Sequence, residues 1–313
     1  MKRVGLLFPG QGSQYVGMGK EFFDRFPAAR QVFEEANEAL GFNLASLCFR
    51  GPEEDLKLTA NTQPAILTVS VAALRVMQAE RELLPAAAAG HSLGEYGALV
   101  AAGGLRFAEA LRLVHLRGKF MQEAVPVGVG AMAAIMGMSG SEVEALCQEA
   151  AQGEVLAPAN YNSPGQVAIA GHRTAVNRVV AMVSQQAGKK AVLLPVSAPF
   201  HCALLKSAAE RMKEELDKAE VGDLHIPVLS NASADFYPGK DKIRELLVRQ
   251  IDHPVRWEEC MGKLIQKGVN LVLEVGPGKV LTGLMRRISK DLKTANVEDG
   301  PSWEKAQALL AEN

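Results

Sequence analysis

The chain has 313 residues, 48% of them hydrophobic and 22% charged, with 34 basic and 35 acidic side chains for a net charge of −1. Such a chain can bury a sizeable core, and its charge balance excludes broad electrostatic attraction to nucleic acid or to a membrane surface. Its four cysteines, Cys48, Cys147, Cys202 and Cys260, form no C-x-x-C pair, which argues against a zinc or redox site and for a reducing compartment.

In chain order, the opening MKRVGLLFPGQG places two basic residues before an apolar run too short for a secretory signal. Residues 4–8 are therefore predicted as a buried strand, followed by a glycine-rich loop. Helical patterns follow over 27–40 and 64–80, a short apolar strand over 86–91, and helices from 93 and over 107–123. Strands alternating with helices predict a parallel α/β sheet. At VPVGVGAM the pattern changes. Strands are expected at 131–136, 154–160, 166–170 and 190–194, with helices at 141–151 and 174–186. That βαββαβ order is the ferredoxin-like arrangement. The α/β pattern then resumes, with helices over 204–219, 243–251 and 256–267, strands over 228–231 and 271–275, and a last helix to 290. The expected architecture is a large α/β-hydrolase-like part with a short parallel sheet, residues 1–125 and 197–313, carrying an inserted ferredoxin-like subdomain, residues 126–196. A cleft between them is the expected site. The apolar stretch PVGVGAMAAIMGM falls short of the ~20 residues of a membrane span, so a cytoplasmic protein is expected.

The stretch GHSLGEY, residues 90–96, has G-x-S-x-G spacing between a predicted strand and a predicted helix. A tight strand-to-helix turn would push the Ser92 hydroxyl into a cleft, small neighbours would let a substrate approach, and the helix would aim N–H groups at a developing oxyanion. The plainer alternative is a serine that caps the helix. A serine nucleophile needs a base, and six histidines are candidates: His91, His115, His172, His201, His225 and His253. His115 sits in a helix pattern, and His172, His225 and His253 sit in turns or loops. His91 adjoins Ser92, and its ring is expected to point away along the turn. His201 lies in PVSAPFHCALL, where the inserted part rejoins the larger one. Position alone leaves the base open. The loop PGQGSQYVGMG has Tyr15 where a dinucleotide fingerprint needs its third glycine, and EVGPGKVL lacks P-loop spacing.

FPGQGSQ (8–14), NTQPA (61–65), GHSLGEY (90–96), NYNSPGQ (160–166), SAPFH (197–201) and EVGPGKVL (274–281) follow one another in this order. Together they resemble the malonyl-CoA:acyl carrier protein transacylases of bacterial fatty acid synthesis, from about residue 4 to residue 287. The resemblance implies that Ser92 is the acylated nucleophile and His201 its base, with a backbone carbonyl at Gln250 orienting the imidazole. It implies an oxyanion hole of the Gln11 and Leu93 N–H groups, and Arg117 as the ligand of the malonyl carboxylate. Gln63, Asn162, Phe200 and His91 are the further substrate-binding candidates. A helix arginine is more often a solvated cation, but a guanidinium grips a carboxylate bidentately. Phe200, beside the base, would crowd a substituent on the malonyl α-carbon. Cys202 and Leu205 stand where the family pattern has serine and methionine, which concerns local packing only.

The implied partners are malonyl-CoA (coenzyme A after transfer) and an acidic acyl carrier protein, met by a basic patch such as Lys189-Lys190 or Arg286-Arg287. No cofactor, metal, nucleic acid or membrane is implied, and a monomer is expected. Two other classes compete: a serine thioesterase or hydrolase, which lacks here the HGGG-type oxyanion motif, and a non-catalytic carrier-binding protein on the same fold.

Overall fold

The computed structural model describes residues 2–312. Its strands are β1 (Val4–Phe8), β2 (Ala87–Gly90), β3 (Gly130–Met136), β4 (Leu156–Ser163), β5 (Gln166–His172), β6 (Lys190–Leu193), β7 (Leu229–Ser230), β8 (Asp235–Phe236), β9 (Leu271–Val275) and β10 (Lys293–Val297). One sheet runs β10-β9-β1-β2 and is parallel throughout, so both ends of the chain build it. Every residue of β1, β2 and β9 is buried. That is why these strands read as apolar runs rather than alternations: helices cover both faces. The one break is Glu274 in β9, whose carboxylate accepts from the Leu281 and Thr282 N–H groups.

The second sheet runs β4-β5-β3-β6 and is antiparallel. Its side chains divide by a period of two. Ala133, Ile135, Val167 and Ile169 pack on the helices Gly140–Ala151 and Arg173–Ser184 through Val143, Val176 and Val179. Met132, Ala168 and Ala170 point the other way, into the main core. Backbone bonds also tie the sheet to the rest of the chain: Tyr161 N–H donates to Val255 O at 2.9 Å and Val255 N–H to Ala159 O at 2.8 Å.

The buried central helix runs Thr59–Glu80, starting five residues before the position expected at Pro64. A proline inside a helix removes a donor and frees a carbonyl one turn earlier. Here the Ala60 carbonyl bonds the ring of His115 through Nδ1 at 2.9 Å, so the break is repaired from a neighbouring helix. Sequence pattern also misses β10 and the helices Lys20–Arg25, Leu44–Arg50, Glu53–Lys57 and Gly300–Ala311. β10 is an edge strand, KTANV, with one buried residue and no apolar alternation to announce it. Among the described residues no helix is long and apolar enough to cross a membrane.

The turn after β2 is packed to contact. A Cβ on Gly94 would lie 2.0 Å from the Phe8 carbonyl oxygen, and one on Gly90 would lie 1.9 Å from the Gly94 carbonyl carbon. The helix Gly94–Ala101 can approach β1 this closely only because both positions lack a side chain. Gly94→Ala should therefore destabilise the fold by about 3 kcal/mol or more, read as a lower urea midpoint at unchanged slope. A loss under about 0.5 kcal/mol would contradict the packing described.

Candidate active site

Ser92 stands between β2 and the helix Gly94–Ala101 with φ 52°, a left-handed conformation rare for a residue with a side chain. Three bonds hold it there. Its N–H donates to Asn231 Oδ1 at 2.6 Å, its carbonyl accepts from Gln250 Nε2 at 2.9 Å, and Asn231 Nδ2 donates to Gly90 O at 2.8 Å. The Ser92 hydroxyl is thereby turned toward His201, with Oγ 2.7 Å from Nε2.

His201 is 3% exposed and also has positive φ, 60°. Its Nδ1 lies 2.7 Å from the Gln250 carbonyl oxygen. A carbonyl can only accept, so Nδ1 carries the hydrogen and Nε2 offers its lone pair to the serine. Gln250 is two residues from the end of the helix Ile243–Asp252. Carbonyls of a last turn lack intrahelical partners and carry partial negative charge. The helix end thus supplies what a buried aspartate supplies elsewhere: an acceptor that fixes the tautomer and favours the imidazolium. Burial, and then the positive charge of Arg117, lower the His201 pKa from the ordinary 6.5 to about 3.

Arg117 lies on the helix Phe107–Glu123 and is 1% exposed, not a solvated cation. Nη1 donates to Gln63 Oε1 at 2.9 Å; Nη2 donates to Gln250 Oε1 at 2.8 Å and to Ser92 Oγ at 3.1 Å. Its Nε is buried without a partner among the described residues. The guanidinium lies over the Tyr96 ring, 6.0 Å from the centroid. Burial pulls its pKa down, and Tyr96 and Glu95 oppose that.

These groups open on a cavity of about 110 Å³, also lined by Gln11, Gln63, Leu93, Asn160 and Phe200. Neither Gln11 nor Leu93 spends its N–H on a hydrogen bond within the described residues. His91 lines the cavity too. Asn162 Oδ1 holds its Nε2 at 2.8 Å, and the ring lies 5.4 Å from that of Trp257. Asn162 itself lines an adjoining cavity of about 280 Å³, which shares Gln11, His91, Asn160 and Leu194 with the first. Cys202 is buried with its thiol on Pro199 O, and Leu205 is buried, so both family departures are packing positions. Of the basic pairs, Arg286 bonds Thr294 and Arg287 bonds Gln166, while Lys189 bonds the Gly137 carbonyl.

Sequence reasoning missed Glu95, Asn231, Tyr237 and Asn160. Glu95 carried a signal: it is the one charged residue in the otherwise apolar helix GEYGALVA. It is fully buried. Burial raises its pKa, against the hydrogen bonds from Tyr237, Asn231 and Gln250.

Residues 6–309 match the family described as acyl transferase domain. The chain is 49% identical over 302 residues to the malonyl CoA-acyl carrier protein transacylase of Escherichia coli, covering 96% of this chain and 97% of that protein. It is 47% identical over 315 residues to the protein of the same name from Bacillus subtilis, covering 100% and 99%. A solved type II PKS acyl-carrier protein in complex with its malonyl-transacylase superimposes with TM-score 0.95 at 46% identity, covering 98% of this chain and 100% of that one.

Because the native His201 titrates near pH 3 rather than 6.5, serine acylation should stay level as pH falls from about 7.5 to 5. An unfolded chain takes up that proton below about 6.5 while the native one does not, so stability should decline over the same range. Single-turnover rates and denaturation midpoints across the range check both; an acylation limb centred near 6.5 would contradict the buried neutral imidazole.

Proposed function

The chain belongs to the acyl transferase domain family, and from that we propose that it transfers malonyl from malonyl-CoA to the phosphopantetheine thiol of acyl carrier protein, for fatty acid synthesis. The observation that carries this is the Ser92 hydroxyl held between a neutral base, His201 Nε2 at 2.7 Å, and a buried cation, Arg117 Nη2 at 3.1 Å. A base next to the hydroxyl makes a nucleophile; a buried guanidinium beside that nucleophile selects an acyl group with its own carboxylate.

In the first half-reaction His201 removes the proton of Ser92 as Oγ attacks the thioester carbonyl. The N–H groups of Gln11 and Leu93, the latter at the positive end of its helix, receive the oxyanion. The tetrahedral intermediate collapses, the C–S bond breaks, and His201 returns the proton to the departing coenzyme A thiolate. In the second half, the carrier thiol gives its proton to His201 and its sulfur attacks the malonyl-serine ester. Ser92 leaves, recovering a proton from His201. The Gln250 carbonyl stabilises the imidazolium in both halves.

Arg117 binds the malonyl carboxylate, with Gln63 fixing the guanidinium. An acetyl group would offer that cation no carboxylate. The cost is bounded by the roughly 3–5 kcal/mol of breaking a buried pair, so discrimination of up to about 10²–10⁴-fold follows. Phe200 crowds a substituent on the α-carbon. His91 and Asn162 line the path from the adjoining cavity. In this account the enzyme works as a cytoplasmic monomer without a cofactor. The hydrolase and non-catalytic alternatives are not favoured: the named relatives are transacylases along their whole length. The strand orders β10-β9-β1-β2 and β4-β5-β3-β6 support an α/β-hydrolase-like part, residues 1–125 and 197–313, carrying a ferredoxin-like insertion, residues 126–196.

Initial velocities varied in both substrates should give parallel reciprocal lines, the mark of a covalent ping-pong path. His201→Ala should lower transfer by about 10²–10⁴-fold. Intersecting lines, or a near-normal rate in the variant, would contradict the mechanism.

A further inference from the structure

The mechanism leaves one buried titratable group unused. Glu95, three residues after Ser92, sits in the first turn of the helix Gly94–Ala101 and is 0% exposed. Three donors converge on its carboxylate: the Tyr237 hydroxyl, the Asn231 N–H at 3.0 Å and Gln250 Nε2 at 2.6 Å. Each favours the charged form, against the burial that raises its pKa, and the carboxylate is taken as ionised. An ionised carboxylate accepts only, so it obliges the Gln250 amide to present Nε2 to it. The other end of that amide, Oε1, then faces Arg117 and accepts from Nη2 at 2.8 Å. One side-chain amide thus stands between a buried anion and a buried cation, and each end of its dipole meets the opposite charge.

We propose that Glu95 is the counter-charge of Arg117, coupled to it through the Gln250 amide, and a positioning residue that limits the affinity of the site for the acyl carboxylate. This rests on Arg117 being the ligand of the malonyl carboxylate. In the empty site Glu95 balances a cation that would otherwise be buried alone. When malonyl binds, the site holds two anions around one guanidinium, and Glu95 repels the newcomer. Malonyl is then recognised without being held too tightly to leave with the carrier thiol. An acyl group without a carboxylate does not meet this repulsion.

The test uses Ser92→Ala protein, which forms no ester, and measures binding of malonyl-CoA and acetyl-CoA by calorimetry with and without Glu95→Gln. Glutamine removes the charge and keeps an acceptor toward Gln250 and Asn231, and its NH2 can donate to the Tyr237 hydroxyl oxygen, which turns to accept. Malonyl-CoA should bind on the order of tenfold tighter while acetyl-CoA binding is unchanged. A malonyl-to-acetyl ratio that moves by less than about twofold overturns the inference and leaves the role of Arg117 standing. Equal binding of the two thioesters in the Ser92→Ala protein itself would overturn the role of Arg117, and this inference with it. If Glu95→Gln does not fold, the Glu95→Gln/Arg117→Gln pair decides. Coupled charges require the doubly neutral protein to unfold at higher denaturant than Arg117→Gln alone, and additive losses would overturn the proposal.

Discussion

Taking a guanidinium out of water costs several kcal/mol unless its N–H groups are bonded and its charge is answered, and Arg117 is almost wholly buried at the floor of the cavity. Much of the site follows from meeting that cost. Gln63, from the central helix, takes one nitrogen, and Gln250, from the helix Ile243–Asp252, takes another. Gln250 in turn bonds Glu95 and the backbone of Ser92. The hydrogen bonds that satisfy the arginine are therefore the same ones that set the nucleophile. A single residue, Gln250, serves the serine through its Nε2, the arginine through its Oε1 and the imidazole through its main-chain carbonyl.

Two of the four non-glycine residues with left-handed backbone among those described stand where the chemistry is; the others are Gln152 and Ala234. Ser92 and His201 both occupy left-handed conformations, each worth about 1–3 kcal/mol. The strain persists because the surroundings over-determine it. β1 and β2 are in register up to Phe8 and Gly90, the two glycines let the following helix close against them, and Asn231 clamps the Ser92 N–H. A hydroxyl and an imidazole preset in this way need little reorganisation when substrate enters, which is how a weakly basic, buried histidine can still serve as a general base.

Much of this was legible in the chain. β1 and β9 appear as apolar runs bounded by Pro9-Gly10 and Gly276-Pro277, with the limits the structure shows, and the change to a βαββαβ order marks the second sheet. β10 was not legible, because an edge strand with one neighbour needs no apolar alternation. The start of the central helix was hidden by Pro64, whose cost is offset by a ring from another helix, a tertiary event with no local trace. In the site, G-x-S-x-G marks Ser92 by its own spacing. His201, Gln250 and Arg117 lie far from it in sequence and look ordinary there; only the family resemblance named them together. Asn231 and Tyr237 had no signal at all, since a polar residue near a turn is common and their importance comes from the partner, Glu95, that they meet.

The central claim is that Ser92 carries malonyl between two thiols, and intact mass spectrometry after brief mixing with malonyl-CoA tests it most directly. The account predicts one malonyl adduct per chain, absent with Ser92→Ala, scarce with acetyl-CoA, and discharged on addition of holo acyl carrier protein with a matching gain in the carrier's mass. An adduct that forms equally well in the Ser92→Ala protein, or free malonate accumulating with no transfer to the carrier, would contradict it.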